Sequence, residues 1–444
     1  MDTAYIALII IGIALVFYIT DWIPIATTSI LACLALAIFG VITPAQAFGG
    51  FANDMVFLII GMVIVGNTLF ETGVAQIMGR GILRIVGGNE KIFIVVLILV
   101  ASVPAAFLSN TAAAAMMLPV AASAVAASNG KFTKKNTYMV VGMAAVTSGG
   151  LTLVGSTPQL IAQGILQTGG HETMGFFELA RVGGPIIVLL IVYYLTIGRL
   201  ILRKSKKNPR NLISEEEVRP TERIARPPPP PQEEEVPRNP KPRFIELVPF
   251  KMVISVAILL FCVVGFITGL WTLGTVAMVG AAACIVTRCI TQQRVFAAMD
   301  WNSVVVIAAS LGLATGLEVS GAGAMIAEGM VNLMGDGVSP WLICAGLALV
   351  AIILGNFMSA TATAALLVPI AVSIALQMNI DVKSVVMAVV IACNISYATP
   401  VSTPPMTMTL SAGYRFMDYV RFGGMFTILA YLLAIALFPL VLNL

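Results

Sequence analysis

The chain has 444 residues, 59% of them hydrophobic and 10% charged, with a formal net charge of +4 and a mean hydropathy of +0.99. A soluble globular domain carries about 25% charged residues. The composition therefore excludes a water-soluble fold, a disordered chain and a secreted disulfide scaffold, and leaves an all-α polytopic membrane protein. The basic residues fall in short clusters between apolar runs, which is not the footprint of a nucleic-acid-binding surface. Cys33, Cys262, Cys284, Cys289, Cys344 and Cys393 all lie in apolar stretches with no C-x-x-C pair, and read as small packing residues.

A helix needs roughly 20 apolar residues to cross the hydrocarbon. In chain order, ten passes are expected at about 4–20, 22–43, 54–76, 138–166, 180–202, 248–269, 271–288, 301–321, 385–412 and 422–442. The first of these lacks a basic flank of the signal-peptide kind and leads straight into the second, so no cleaved leader is expected. Two further apolar stretches, 92–128 and 341–378, are each interrupted by small and hydroxyl residues. They read as re-entrant helical hairpins, the first opening inward and the second outward.

Charge supports that assignment. With both termini outside the cell membrane, all but Arg181 and Lys383 of the 25 basic residues fall on the cytoplasmic side. Treating either interrupted stretch as a full pass would put several clusters on the wrong side. Residues 203–247 are charged and proline-rich, with an unbroken run from Pro227 to Pro231, and read as a cytoplasmic linker without a core.

The linker separates two related halves, 1–202 and 248–444. Ser109-Asn110-Thr111-Ala112 with Pro119 reappears 250 residues on as Ser359-Ala360-Thr361-Ala362 with Pro369. Thr72-Gly73 reappears as Ser320-Gly321, and Ser156-Thr157-Pro158 as Ser402-Thr403-Pro404. Five passes per half is an odd number, so the second half is expected upside down relative to the first. Inverted repeats with broken helices are a mark of secondary transporters, which bind cargo near the midplane.

Four elements then carry the chemistry: the hairpin tips at 109–111 and 359–361, and the breaks at 147–159 and 399–405. Gly and Pro free backbone carbonyls and amides there. Carbonyl, hydroxyl and amide oxygens suit a small hard cation, and helix N-termini attract an anion. No Lys, Arg or His lies in these four elements. A dianion held there needs co-bound cations, which is the physical reason to expect sodium coupling. Glu71, Glu318, Asp54 and Asp300 are the carboxylates open to a proton-coupled alternative, although their positions suit helix caps and interfaces better. His171 falls in an expected external loop. No nucleophile–base pair, metal cluster or phosphate loop points to an enzyme, and no organic cofactor is expected.

The segments SNTAAAAMMLP (Ser109–Pro119), TLVGSTPQ (Thr152–Gln159), SATATAALLVP (Ser359–Pro369) and PVSTPP (Pro400–Pro405), with Thr20-Asp21-Trp22-Ile23-Pro24, resemble the divalent-anion/sodium symporter family of the ion transporter superfamily. That resemblance implies a homodimer in which a transport domain moves like an elevator against a fixed scaffold. It implies one sodium site at Ser109, Asn110 and Gly155 and another at Ser359 and Ser402. It implies that a di- or tricarboxylate, or sulfate, is held by Ser109, Asn110, Thr111, Ser156, Ser359, Thr361, Thr403 and Pro404. The chain departs from the family at Ala360, where Asn is usual, at Gln159 and Met406, also usually Asn, and at Thr157, usually Pro. Asn356, Thr363 and Asn394 are the nearby residues that could compensate for Ala360. These departures leave open an anion exchanger, a sodium/proton antiporter or an arsenite-type exporter, with a non-transporting membrane scaffold as the remaining alternative.

Overall fold

The computed structural model describes residues 2–20, 22–74, 89–127, 133–198, 249–334 and 339–442. The expected linker 203–247 lies outside them, as do Asp21 and residues 75–88. All regular structure among the described residues is helical. The first half runs through α1 (Thr3–Thr20), α2 (Ile25–Ile38), a short α3 (Pro44–Gly49), α4 (Asp54–Glu71), α5 (Glu90–Phe107), α6 (Asn110–Ala127), α7 (Lys134–Gly149), α8 (Thr157–Thr168) and α9 (Ala180–Tyr193). The second half follows with α10 (Pro249–Thr268), α11 (Leu273–Val286), a short α12 (Gln292–Ala298), α13 (Trp301–Ser320), α14 (Ala322–Met334), α15 (Pro340–Phe357), α16 (Ala360–Gln377), α17 (Val382–Cys393), a single-turn α18 (Pro404–Met408) and α19 (Phe416–Val441). Nine of the described helices are long and apolar enough to cross a membrane, and four shorter apolar helices accompany them. The expected passes at 22–43 and 271–288 are shorter than the sequence suggests, because α2 and α11 end after 14 residues each and hand over to α3 and α12. Helix α14 was not expected, since its apolar run after Gly321 is too short to span by itself.

Both interrupted stretches are helix–break–helix units. Leu108 (φ −110°, ψ 168°) and Met358 (φ −123°, ψ 172°) are extended and end α5 and α15. Ser109 and Ser359 then cap the returning arms, accepting the Ala112 and Ala362 N–H at 3.2 and 3.1 Å. The arms of each unit pack on one another and on the helix that follows. Asn136, near the start of α7, donates to Glu90 at the start of α5 (2.8 Å), while Ser148 at the end of α7 donates to Ser102 (2.6 Å). Helices α5 and α7 therefore run side by side in one direction, and α6 returns to the end from which α5 began. The second unit is tied in the same way, with Ala398 N–H donating to the Asn356 side chain (2.9 Å) and Thr399 Oγ to the Asn356 carbonyl (2.7 Å).

The order of elements in the first half recurs in the second, and contacts recur with the halves exchanged. Helix α4 packs on α11 as α13 packs on α2, α12 on α4 as α3 on α13, and α18 on α6 as α8 on α16. Local backbone follows suit. Gly73 (φ 86°) and Gly321 (φ 75°) take the left-handed conformation just past α4 and α13, which only glycine adopts cheaply. The matched breaks are displaced by one residue from the tripeptide alignment. Ser156 (φ −147°, ψ 144°) corresponds in backbone to Thr403 (φ −149°, ψ 146°), not to Ser402. The second break is longer than the first, running from Asn394 to Thr403 where the first runs from Gly150 to Ser156.

Close approach of helices depends on small residues, because lipid gives no hydrophobic drive for helices to associate. At Gly61 in α4 an added Cβ would lie 2.5 Å from the Ala277 carbonyl carbon and 2.7 Å from its Cβ in α11. Backbone cannot swing aside, so Gly61→Val should force α4 and α11 apart at a cost of about 1–3 kcal/mol. A lowered melting temperature of the detergent-purified variant is the expected result.

Candidate functional site

The two tips and the two breaks meet around one cavity of about 780 Å³, part of it open to solvent. Its lining includes every residue expected to hold cargo or sodium: Ser109, Asn110, Thr111, Gly155, Ser156, Ser359, Thr361, Ser402, Thr403 and Pro404. Ile59, Met62 and Val63 of α4 close one side, and Asp300 and Ser303 at the start of α13 join the wall. The N-termini of α6, α8 and α16 all point their positive ends toward this space. Among the described residues, no Lys, Arg or His lines it.

Ser156 and Thr403 occupy the N-cap positions of α8 and α18, yet neither side chain caps its helix. The prolines that follow remove amide donors that a cap would accept. The Thr403 hydroxyl is left buried with no hydrogen-bond partner. Such a group costs stability unless a ligand or water completes it.

At the first tip the Asn110 side-chain amide sits 2.9 Å from both the Ala145 and Gly155 carbonyl oxygens. With its nitrogen toward them, Asn110 donates two hydrogen bonds. The second tip differs. Ala360 has no amide, and its backbone N–H donates to the Ser402 carbonyl at 3.2 Å. Asn356 is committed to the second break, Thr363 Oγ donates to the Ser359 carbonyl (3.0 Å), and Asn394 donates to the Val390 carbonyl (2.9 Å). None of these three lines the cavity.

The remaining candidates separate. Glu71 pairs with Arg294. Glu318 and His171 line a different cavity, between α8, α13 and α16. Asp54 accepts the Thr272 hydroxyl (2.6 Å) and the Gly274 N–H (3.0 Å). Asp300 caps α13, as its position suggested, and also borders the main cavity. That second placement was missed. The one signal in the sequence was Ser303 three residues on, which marks a cap and not a cavity wall. Gln159 points away from the cavity and donates to the Gly149 carbonyl (2.8 Å).

Because the Thr403 hydroxyl bonds to nothing, Thr403→Val should leave the ligand-free stability unchanged or raise it by about 1 kcal/mol. Thr152→Val should destabilise by about 1 kcal/mol, since Thr152 Oγ donates to the Ala106 carbonyl at the first tip. Thermal melts of the two purified variants in ligand-free buffer check the contrast.

A citrate transporter family model matches residues 15–384 and again 337–443. An uncharacterized transporter of Haemophilus influenzae is 27% identical over 411 residues, 90% of this chain and 83% of that protein. The sodium-dependent dicarboxylate transporter SdcS of Staphylococcus aureus is 24% identical over 443 residues, 93% of this chain and 80% of that protein. The uncharacterized transporter YfbS of Escherichia coli is 28% identical over 154 residues, which is 34% of this chain and a quarter of that protein's length, 25%. Among solved structures, the Alcanivorax borkumensis YdaH transporter shares the fold with a TM-score of 0.57 at 12% identity, covering 91% of this chain and 87% of that one. Neisseria gonorrhoeae MtrF gives a TM-score of 0.55 at 14% identity, covering 99% and 94%. The multi-pass helical architecture, the lining of hydroxyls and helix ends, and the match along most of the chain agree: this protein belongs to the citrate transporter family and is a membrane transporter, not an enzyme.

Proposed function

We propose that the protein is a sodium-coupled secondary transporter of a di- or tricarboxylate. The observation that carries this reading is the meeting of both hairpin tips and both breaks around one cavity lined by hydroxyls and helix N-termini. Such a lining can bind carboxylates by hydrogen bonds and helix dipoles, but it offers no formal positive charge. A cation bound beside the cargo supplies it. The first tip is the best placed for sodium, through Asn110 and the Gly155 carbonyl with Ser109 adjacent. At the second tip the Ser359 hydroxyl caps α16 and the Ser402 carbonyl takes the Ala360 N–H, which leaves fewer free oxygens for an ion. The relative SdcS, a sodium-dependent dicarboxylate transporter, supports both parts of the proposal.

We read the exchanged contacts of the two halves as an inverted repeat. Helices α1–α4 with α10–α13 form a scaffold, and the hairpins with α7–α9 and α17–α19 form an elevator-like transport domain. The exposed apolar residues of α1 and α10, such as Ile9, Ile13, Leu260 and Val264, face lipid or a second copy in a homodimer.

Uptake of labelled succinate and citrate into proteoliposomes, with a sodium or a choline gradient, tests the function. Sodium-driven accumulation is expected, and failure to move any divalent anion under any gradient would reject it. Asn110→Ala should insert and fold but lose most uptake, with a raised sodium requirement. Glu71→Gln and Glu318→Gln should stay active, whereas an antiporter built on either carboxylate would lose exchange.

A further inference from the structure

Within the proposed anion cavity, one wall residue has the wrong sign. Among the described residues, Asp300 is the single ionisable side chain in the lining. Its two carboxylate oxygens accept the Ser303 N–H (3.2 Å) and the Ser303 hydroxyl (2.5 Å). Each carboxylate oxygen has a second lone pair left to accept with. Ser303 Oγ lies 3.3 Å from Thr157 Oγ at the start of α8, so this acidic end of the wall reaches the first break. The buried, unpartnered Thr403 hydroxyl belongs to the same cavity.

A carboxylate on the wall repels a dianion, and because Asp300 is solvent-exposed, water screens part of that repulsion. Ala360 acts in the same direction, since the second tip offers one amide fewer to a second cargo carboxylate. Both features fit a cavity whose contents carry less negative charge than a bare dicarboxylate.

We propose that Asp300 holds a compact monovalent positive charge inside the cavity. Two sources share this chemistry. One is the ammonium group of an amino dicarboxylate cargo, seated on Asp300 with its carboxylates on the tips. The other is a sodium ion bound by Asp300 with the Ser303 and Thr157 hydroxyls, beside a cargo that carries no ammonium. The proposal rests on the transport reading of this cavity.

Asp300→Asn tests it cleanly, because Asn caps a helix as well as Asp does, and an unchanged melting temperature verifies that the fold is kept. Uptake of labelled aspartate and labelled succinate is measured in proteoliposomes as a function of sodium, for wild type and variant. If the ammonium is the source, wild type prefers aspartate and Asp300→Asn shifts the ratio toward succinate by about tenfold. If sodium is the source, the cargo ratio holds and the sodium dependence loses about one bound ion. An active wild type whose cargo ratio and sodium dependence both survive the substitution overturns the proposal alone. A wild type that moves neither compound under any gradient overturns the transport reading and this proposal together.

Discussion

Inside a membrane, a backbone amide or carbonyl that leaves a helix must find a partner in the protein or in a wet cavity. This protein breaks its helices at four places, near 108, 150–156, 358 and 394–403. The rest of the architecture follows from the need to gather them. The hairpins double back so that their tips reach the breaks. Partners are then available: Asn110 meets the Ala145 and Gly155 carbonyls, Ala360 N–H meets the Ser402 carbonyl, and Asn356 holds the turn at Ala398 and Thr399. The Thr403 hydroxyl stays unpaired after this, and its residue lines the cavity.

The same gathering sets the electrostatics. Helix ends bring partial positive charge without the desolvation cost of a buried Lys or Arg, a cost of at least about 2.5 kcal/mol at the bilayer centre. A cavity built this way attracts an anion weakly and reversibly. Under the proposed function, bound cations supply the balance of charge, and a binding site that must also release its cargo gains from that arrangement.

The two halves are alike in framework and unlike in chemistry. Their helices, left-handed turns and tip caps correspond, whereas the tips themselves diverge at Asn110 and Ala360. One tip presents a side-chain amide to two carbonyls; the other joins its break through backbone alone. The longer second break and the lone Asp300 on the wall add to the asymmetry. The differences at a few tip and wall positions make the cavity two-sided.

Much of this was legible in the chain. Apolar length marked the spans, Lys and Arg placement marked the hairpins, and Ser-Asn-Thr and Ser-Ala-Thr marked their tips, because helix breaks in hydrocarbon require small, hydroxyl and proline residues in a recognisable order. Local capping was legible at Asp300, whereas the capping role of Ser109 and Ser359 at the tips emerged from the structure. Three things were decided only by the tertiary structure. Asp300 proved to border the cavity, the matched breaks proved to register one residue away from their tripeptides, and Glu71 and Glu318 proved to stand outside the cavity. Each depends on which helix end lies opposite which break. That is set by packing between halves some 250 residues apart in sequence, and periodicity along one helix carries no information about it.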